Sequence, residues 1–555
     1  MSLKGYYEAS LRPPTADAPA ATEWDWGEVL LDSKAYMADK KNHTSAHCHF
    51  KRKQDGMEVE MWVTLCLAPP PRVSYFCCHA YCPDDHGGEE ARLFFREPSM
   101  VATEGNLALV TLRNGRSHPS SSFSTCPISD YYEYFVYQAG VRELTRLRQP
   151  SREMLTGGAD CFDADSIAVV PYRSNISTHA HPHKIHSTPP TPILGPASAH
   201  AHPQSFPFTP PTPILGPASA HAHPQSFPFT PPTSVLSPSV TGPSPKDDDD
   251  ACDAYRIAAL GHDYFHDSAN GPYYLCIYDS KTQAWTRKPG AIPQPPPPSE
   301  YTCDMAITIG CGSSRGIVGW VDLWRGMLLS DVLADHTPFH LFRYVSLPER
   351  RHPLNSLPLA IDIAHFFRDI VFVKDSGTIR LVDLQVHANT SSPFSETPSG
   401  WTVVTWTMEV EGLHGDLENL GGLRFKQELE LHSSDIENYN LPNSLFVSSP
   451  ILSSGKDVIL YLLTNISSET DRNSHVIAVD LKLKKLLGVK EFDMQRPTSY
   501  IRTSISSHLM PPVPKENMKR RAQASLGSSR KKQQQQPAVT NPGEGEGDVG
   551  NAMES

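Results

Sequence analysis

The chain has 555 residues, 39% of them hydrophobic and 20% charged, with a formal net charge of −12 at neutral pH. Such a length accommodates one large repeat domain or two to three ordinary ones, and the acidic balance argues against nucleic-acid binding along the whole chain, because phosphate neutralisation needs clustered Lys and Arg. Fifty-one prolines crowd into a few segments, which points to long irregular insertions between ordered parts.

Residues 1–27 read as a flexible Pro/Ala/Thr-rich leader ending at Trp24-Asp25-Trp26, with no secretory pattern from Met1 to Tyr6. An N-terminal β region, 28–172, follows. Its predicted strands are Val29 to Leu31, Glu58 to Leu67, Arg72 to Cys78, Leu107 to Leu112 and Tyr131 to Tyr137, all rich in β-branched or aromatic residues and separated by Pro, Gly or Asn. From 173 to 250 the pattern dissolves into Pro, His and Ser. Thr188 to Phe208 is repeated residue for residue from Thr209 to Phe229, a tandem repeat of period 21, and prolines every few residues block helix and sheet alike, so this insertion is expected to be disordered.

Order returns over 251–509, where apolar runs end in Asp279, Asp331, Asp383 and Asp480. The steps between them are 52, 52 and 97 residues, the last close to two steps, so the repeat is near 50 residues. Strand-like segments flank each run, as in Trp401 to Thr407 and Asp457 to Leu463. Three or four strands per unit of that length is what a propeller blade requires, and with the N-terminal strands counted five to seven blades are expected. The alternative is a set of hairpins in a two-sheet sandwich, which would need no constant step between aspartates. The aspartates themselves read as turn formers at strand ends, accepting backbone N–H groups. The fold class is therefore all-β and propeller-like, with a disordered insertion and a disordered tail over 510–555.

In that tail, Lys519-Arg520-Arg521 and Arg530-Lys531-Lys532 resemble a bipartite nuclear-import signal, with a solvated charged tail as the plain alternative. The eleven cysteines all lie between Cys48 and Cys311, an odd number at irregular spacings, and read as reduced thiols of an intracellular protein, cytoplasmic or nuclear or both. The Asn-x-Ser/Thr triplets at Asn42, Asn175, Asn389 and Asn465 then carry no glycans. No apolar run reaches the ~18 residues needed to span a bilayer, so the protein is expected to be soluble, without a membrane partner.

Chemistry is harder to find. Cys77, Cys78, His79, Cys82 and His86 form the only dense thiol and imidazole cluster, but it lacks a second ligand pair at a usual zinc spacing. The His-x-His pairs His179/His181, His200/His202 and His221/His223 lie in the insertion, where flexible chain holds no fixed geometry, so no metal is assigned. Gly310-Cys311-Gly312-Ser313-Ser314-Arg315-Gly316 brushes against a dinucleotide fingerprint, yet its third glycine is one place late and a strand follows, so it reads as a connection between blades and no cofactor is assigned. No nucleophile elbow, zinc-protease pair, P-loop or kinase signature occurs, and no catalytic residue is assigned.

The chain is organised around Gly316 to Leu333, two strand-like runs flanking an Arg325-Gly326 break that predicts a β-hairpin with Gly326 at positive φ. Strand alternation is expected to place Trp320, Asp322 and Trp324 on one face and Val321 and Leu323 on the other. Those tryptophans, with Trp401 and Trp406, read as packing first and as a recognition surface second. The motif Gly319-Trp320-Val321-Asp322-Leu323-Trp324-Arg325-Gly326-Met327-Leu328-Leu329-Ser330-Asp331 resembles the hallmark of the DUF1618 family, a plant group expanded in grasses whose function is uncharacterised. The order of Tyr255 to Leu260, Trp285, Arg368-Asp369-Ile370, Trp401 to Trp406, Phe446 to Pro450 and Val476 to Asp480 agrees with it. Such proteins tend to carry cysteine where this chain has Ser330, which makes that position one of packing.

The family is similar in design to the propellers that accompany F-box domains and capture substrates for ubiquitin transfer. No Leu-Pro-rich helical F-box is visible before Trp26, and the resemblance carries no catalytic residues across. The expected function is a non-catalytic module that binds an unidentified protein partner. The alternatives are a hydrolase or lyase with its site in the propeller channel, which a convergence of Asp, Glu and His at one mouth would favour, and a substrate adaptor.

Overall fold

The computed structural model describes residues 6–14, 27–52, 56–82, 94, 96–113, 132–151, 154, 162–173, 252–262, 272–291, 295–311, 315–335, 339–350, 363–389, 397–410, 423–437, 441, 445–465, 473–493 and 499–509. Among them are 26 strands and a few 3-10 turns, and no helix long and apolar enough to cross a membrane. The expected disorder of the insertion and tail, and the basic residues from Lys519 to Lys532, lie outside the described residues.

The strands form six small sheets. The first contains β1 (Val29–Asp32), β2 (Tyr36–Met37), β3 (Ala46–Lys51), β4 (Glu58–Cys66) and β5 (Val73–Tyr81). The second is β6 (Ser99–Glu104), β7 (Leu107–Arg113), β8 (Tyr132–Gln138) and β9 (Glu143–Arg146). The third is β10 (Ile167–Tyr172), β11 (Ala254–His262), β12 (Tyr273–Asp279) and β13 (Ala284–Pro289). The fourth is β14 (Met305–Cys311), β15 (Gly316–Asp322), β16 (Gly326–Asp331) and β17 (Arg343–Ser346). The fifth is β18 (Arg368–Val373), β19 (Thr378–Asn389), β20 (Thr397–Glu409) and β21 (Lys426–His432). The sixth is β22 (Phe446–Leu452), β23 (Ile459–Asn465), β24 (Asn473–Asp480) and β25 (Lys485–Asp493), and the last strand, β26 (Tyr500–Thr503), returns to the first sheet.

Alternating apolar side chains on both faces of each sheet demand a neighbour on each side, and a ring supplies one without leaving a terminal face bare. Six interfacial cores show the closure. One joins blades 1 and 2 (Phe76, Ala108), and the next four join 2 to 3 (Leu109, Ile257), 3 to 4 (Leu275, Trp320), 4 to 5 (Leu329, Leu381) and 5 to 6 (Val403, Leu460). The last joins blade 6 back to blade 1 through Leu30, Val476 and Tyr500. This is a six-bladed β-propeller, within the five to seven blades expected, and the sandwich is excluded.

Four-stranded meanders build blades 2 to 6, each starting from its innermost strand. Blade 1 departs from that plan. β26 lies antiparallel to β1 as the innermost strand, while β1 and β2 run parallel to β5, so the blade is closed by the far end of the chain. The insertion leaves after β10 and returns before β11, which pair with each other, so it interrupts the inner hairpin of blade 3 rather than separating two domains. Part of the expected leader is held down: Glu8–Leu11 is a 3-10 turn, the Tyr6 hydroxyl donates to the Phe94 carbonyl at 3.0 Å, and Tyr75 donates to the Pro14 carbonyl at 2.9 Å.

Several residue-level expectations need correction. Gly326 has no positive φ; it is glycine because a Cβ there would meet the Tyr344 hydroxyl at 2.4 Å. The positive φ occurs instead at Gly377, 60°, in the turn between β18 and β19. Asp279, Asp331 and Asp480 each end the third strand of a blade and accept turn N–H groups, as expected of them, with Lys281 and Thr282, Leu333, and Lys482 and Leu483 as donors. Asp383 is different: it lies inside a second strand opposite Arg368, so its equal spacing does not reflect an equivalent place. The Gly310 segment joins β14 to β15 within one blade, not two blades, and leads into a strand.

Candidate functional site

In a propeller the inner strands run side by side around a channel, so the segments that lead into them gather at one mouth. Here those segments are 163–166 before β10, 303–304 before β14 and the 3-10 turn Ala364–Phe366 before β18. They bring Asp163, Asp165, Asp304 and His365 together from three successive blades. The His365 Nε2 lies 2.8 Å from the Asp304 carbonyl oxygen, and the Cys303 Sγ donates to the Asp165 carbonyl at 3.5 Å.

The family hairpin holds this mouth in place. Trp320, fully buried, donates from Nε1 to the Ser166 carbonyl at 2.8 Å and so pins the turn that carries Asp165. Tyr301 donates to the Trp320 carbonyl at 2.7 Å. Asp322, also fully buried, accepts from the N–H groups of Trp324 and Arg325 through one oxygen and of Thr302 through the other, all at 3.0 Å, which shapes the three-residue turn. That turn aims the Leu323 N–H at Asp304 Oδ2, 2.7 Å away. Arg325 reaches back to Asp322 and outward to Glu300, at 3.1 and 2.9 Å. Asp331 accepts from Gly316 and Leu333, closing the far end of the hairpin.

Trp324 is not on the face of Trp320. The strand ends at Asp322, and the turn swings Trp324 onto the core between blades 4 and 5, where the Arg350 and Arg368 guanidinium carbons sit 5.0 and 5.5 Å from its ring centre. Trp320 and Trp401 are buried and Trp406 packs against the same core as Trp324, so the packing reading of the tryptophans is the one observed. Ser330 is fully buried as well.

The mouth is acidic. Asp165 keeps part of its surface in solvent, yet partial burial, then the Asp163 carboxylate, then Asp304, push its carboxyl up to about 6 against the opposing pull of His365. Burial also raises the Asp304 carboxyl, offset in part by the Leu323 hydrogen bond and by His365. Burial is the larger cause for both carboxyls, and the neighbouring carboxylates add to it.

Elsewhere the channel is braced by its own ion pairs. Lys374 and Glu104, 2.5 Å apart, come from blades 5 and 2, which stand opposite each other, so their pair bridges the end away from the acidic mouth. Arg502 of β26 binds Asp369 of blade 5 at 2.9 Å and the carbonyls of Ile370 and Leu452, and Ser454 of blade 6 donates its N–H to Glu28 at 2.8 Å. Alternation along β5 sends Cys77 into a small cluster with Tyr36 and Tyr75 but Cys78 into the core between blades 1 and 2, so the adjacent thiols do not converge; His86 lies outside the described residues. Among the described residues no group of three His, Cys, Asp or Glu is placed to hold a metal ion.

Asp163, Asp165, Asp304 and His365 were not singled out in the sequence. Their only local mark is that each stands just ahead of a strand, and their assembly depends on three strands becoming neighbours in the ring. A search of curated proteins finds no match to this chain. Residues 320–461 match the family described as "Protein of unknown function (DUF1618)", a span that begins at the Trp320 hairpin and includes His365 and Arg368, and the chain is thus a DUF1618 domain-containing protein.

Proposed function

We propose that this propeller is a non-catalytic binding module that takes a cationic segment of a partner protein at its acidic mouth. The observation that carries the reading is the gathering of three carboxylates, Asp163, Asp165 and Asp304, from neighbouring blades around the one imidazole of His365. A Lys or Arg side chain entering there relieves carboxylate repulsion that the free protein must tolerate, and Ile363, 51% exposed two residues before His365, offers apolar contact beside the charge. A substrate adaptor is the finer form of the same reading. Work inside the cell, in cytoplasm or nucleus, fits the abundance of thiols and the basic clusters around Arg520 and Lys531.

A hydrolase or lyase is the second reading, favoured by the Asp165 carboxyl near 6 beside an imidazole, an arrangement suited to general acid-base work. It ranks second because His365 directs Nε2 at a backbone carbonyl rather than at a carboxylate or an open site.

The test is fluorescence anisotropy of the full chain with a labelled Lys/Arg-rich peptide and its Glu-substituted counterpart. Asp165→Asn with Asp304→Asn is expected to weaken the basic peptide about tenfold or more, some 1.4 kcal/mol, while the exposed Asp435→Asn changes nothing. Equal affinity in all three proteins, or preference for the acidic peptide, would overturn the proposal.

A further inference from the structure

Cys66 near the end of β4 and Cys77 in β5 share one face of blade 1. The ladder pairs Cys66 with Tyr75 and Thr64 with Cys77, which makes the two thiols diagonal neighbours. Both are free, 5% and 1% exposed, and enclosed with Tyr36 and Tyr75 in a small cluster separate from the six interfacial cores. At its edge the Tyr75 hydroxyl donates to the Pro14 carbonyl at 2.9 Å and accepts from Lys40 Nζ at 2.7 Å. An ammonium group thus stands beside a pair of sulfurs under a short stretch of irregular chain.

We propose that Cys66 and Cys77 are an oxidisable dithiol, in which Cys66 is the thiolate that attacks a peroxide and Cys77 is the resolving thiol. The local electrostatics agree. A hydrogen bond from Cys77, reinforced by Lys40, outweighs burial and brings Cys66 down to about 7, while the same bond and burial push Cys77 up. Cys78, with burial alone acting on it, is pushed up to about 12, so the neighbouring thiol is the inert one.

In the first step the Cys66 sulfur attacks one oxygen of hydrogen peroxide. An S–O bond forms, the O–O bond breaks, sulfur loses two electrons to the peroxide, and hydroxide leaves. In the second, Cys77 Sγ attacks the Cys66 sulfur; an S–S bond forms, the S–O bond breaks, and the departing hydroxide takes the Cys77 proton to become water. Diagonal neighbours have Cα atoms about 7–8 Å apart, beyond the ordinary disulfide span, so closing the bond shears the β4–β5 ladder locally. A bond made under that strain is readily reduced, which suits reversible modification better than permanent bracing.

The experiment treats the full chain with hydrogen peroxide, blocks remaining thiols, and maps linkages by tandem mass spectrometry. A second measurement follows the alkylation rate of Cys66 against pH in the unaltered protein. Expected are a Cys66–Cys77 linkage at doses that leave Cys78 and Cys276 reduced, a Cys66 reactivity midpoint near 7, and a dimedone adduct on Cys66 in Cys77→Ser. A Cys66 midpoint at the usual thiol value, or oxidation that spreads over the described cysteines without that linkage, would overturn the assignment whether or not the serine variant folds.

Discussion

Replacing Arg368 with methionine probes how the hairpin and the mouth depend on one buried cation. Arg368 is fully buried, pairs with Asp383, itself only 2% exposed, at 3.1 Å, and donates to the carbonyls of Leu323 and Pro348 at 3.1 and 3.0 Å. Methionine fills much of the space but leaves a carboxylate buried without its partner, which costs about 3–5 kcal/mol. The two carbonyls add to this, and because they are released with the same side chain the increments overlap, so about 4 kcal/mol is expected for the whole change. With a urea dependence of about 3 kcal/mol per molar, the unfolding midpoint falls by more than about 1 M. The double variant Arg368→Met with Asp383→Leu removes the stranded charge and is expected to recover at least half of the loss. Leu323 is held by Arg368 through its carbonyl and gives its N–H to Asp304, so the single variant also weakens the basic-peptide binding described above. A loss under about 1 kcal/mol in the single variant, or a double variant no more stable than the single, would refute the reasoning.

Gly326→Ala places a methyl group 2.4 Å from the Tyr344 hydroxyl and 2.5 Å from its ring carbon, and is expected to cost about 1–3 kcal/mol by overpacking; adding Tyr344→Leu should restore part of it in thermal unfolding, and no restoration would mean that backbone conformation sets the requirement after all. His340, 2% exposed, is brought down to about 4, first by burial and then by Lys288, against the opposing pull of Asp331 and Asp335. An unfolded histidine takes up its proton near the ordinary 6.5 and the folded one resists until about 4, so this group leaves stability unchanged above 6.5 and lowers it as pH falls through that window. The total is about 3 kcal/mol, and His340→Leu should lack that fall; parallel pH profiles for the two proteins between 4 and 6.5 would count against it.

Much of the strand content was legible because alternation, β-branched composition and turn chemistry act between residues close in the chain. The runs ending at Asp279, Asp331 and Asp480 are strands that stop where an aspartate turns the backbone, and their recurrence led to blades, although Asp331 and Asp480 stand two blades and 149 residues apart, a longer unit than the expected 50. Weak or atypical strands escaped: β3, with His47, Cys48 and His49, and β21, whose side chains are largely exposed and charged, lack the apolar signature because they lie at blade edges. β10 and β26 escaped for another reason, since one is cut from its partner strand by the insertion and the other is short.

The sequence by itself determined the all-β class and the hairpin at Trp320, since each follows from side-chain pattern and turn formation over a few tens of residues. The number six, the closure of blade 1 by β26, the swing of Trp324 away from Trp320 and the meeting of Asp165, Asp304 and His365 were decided only by tertiary structure. These depend on which faces pack once the ring has closed, and that contact joins residues on different blades, beyond the reach of any local preference.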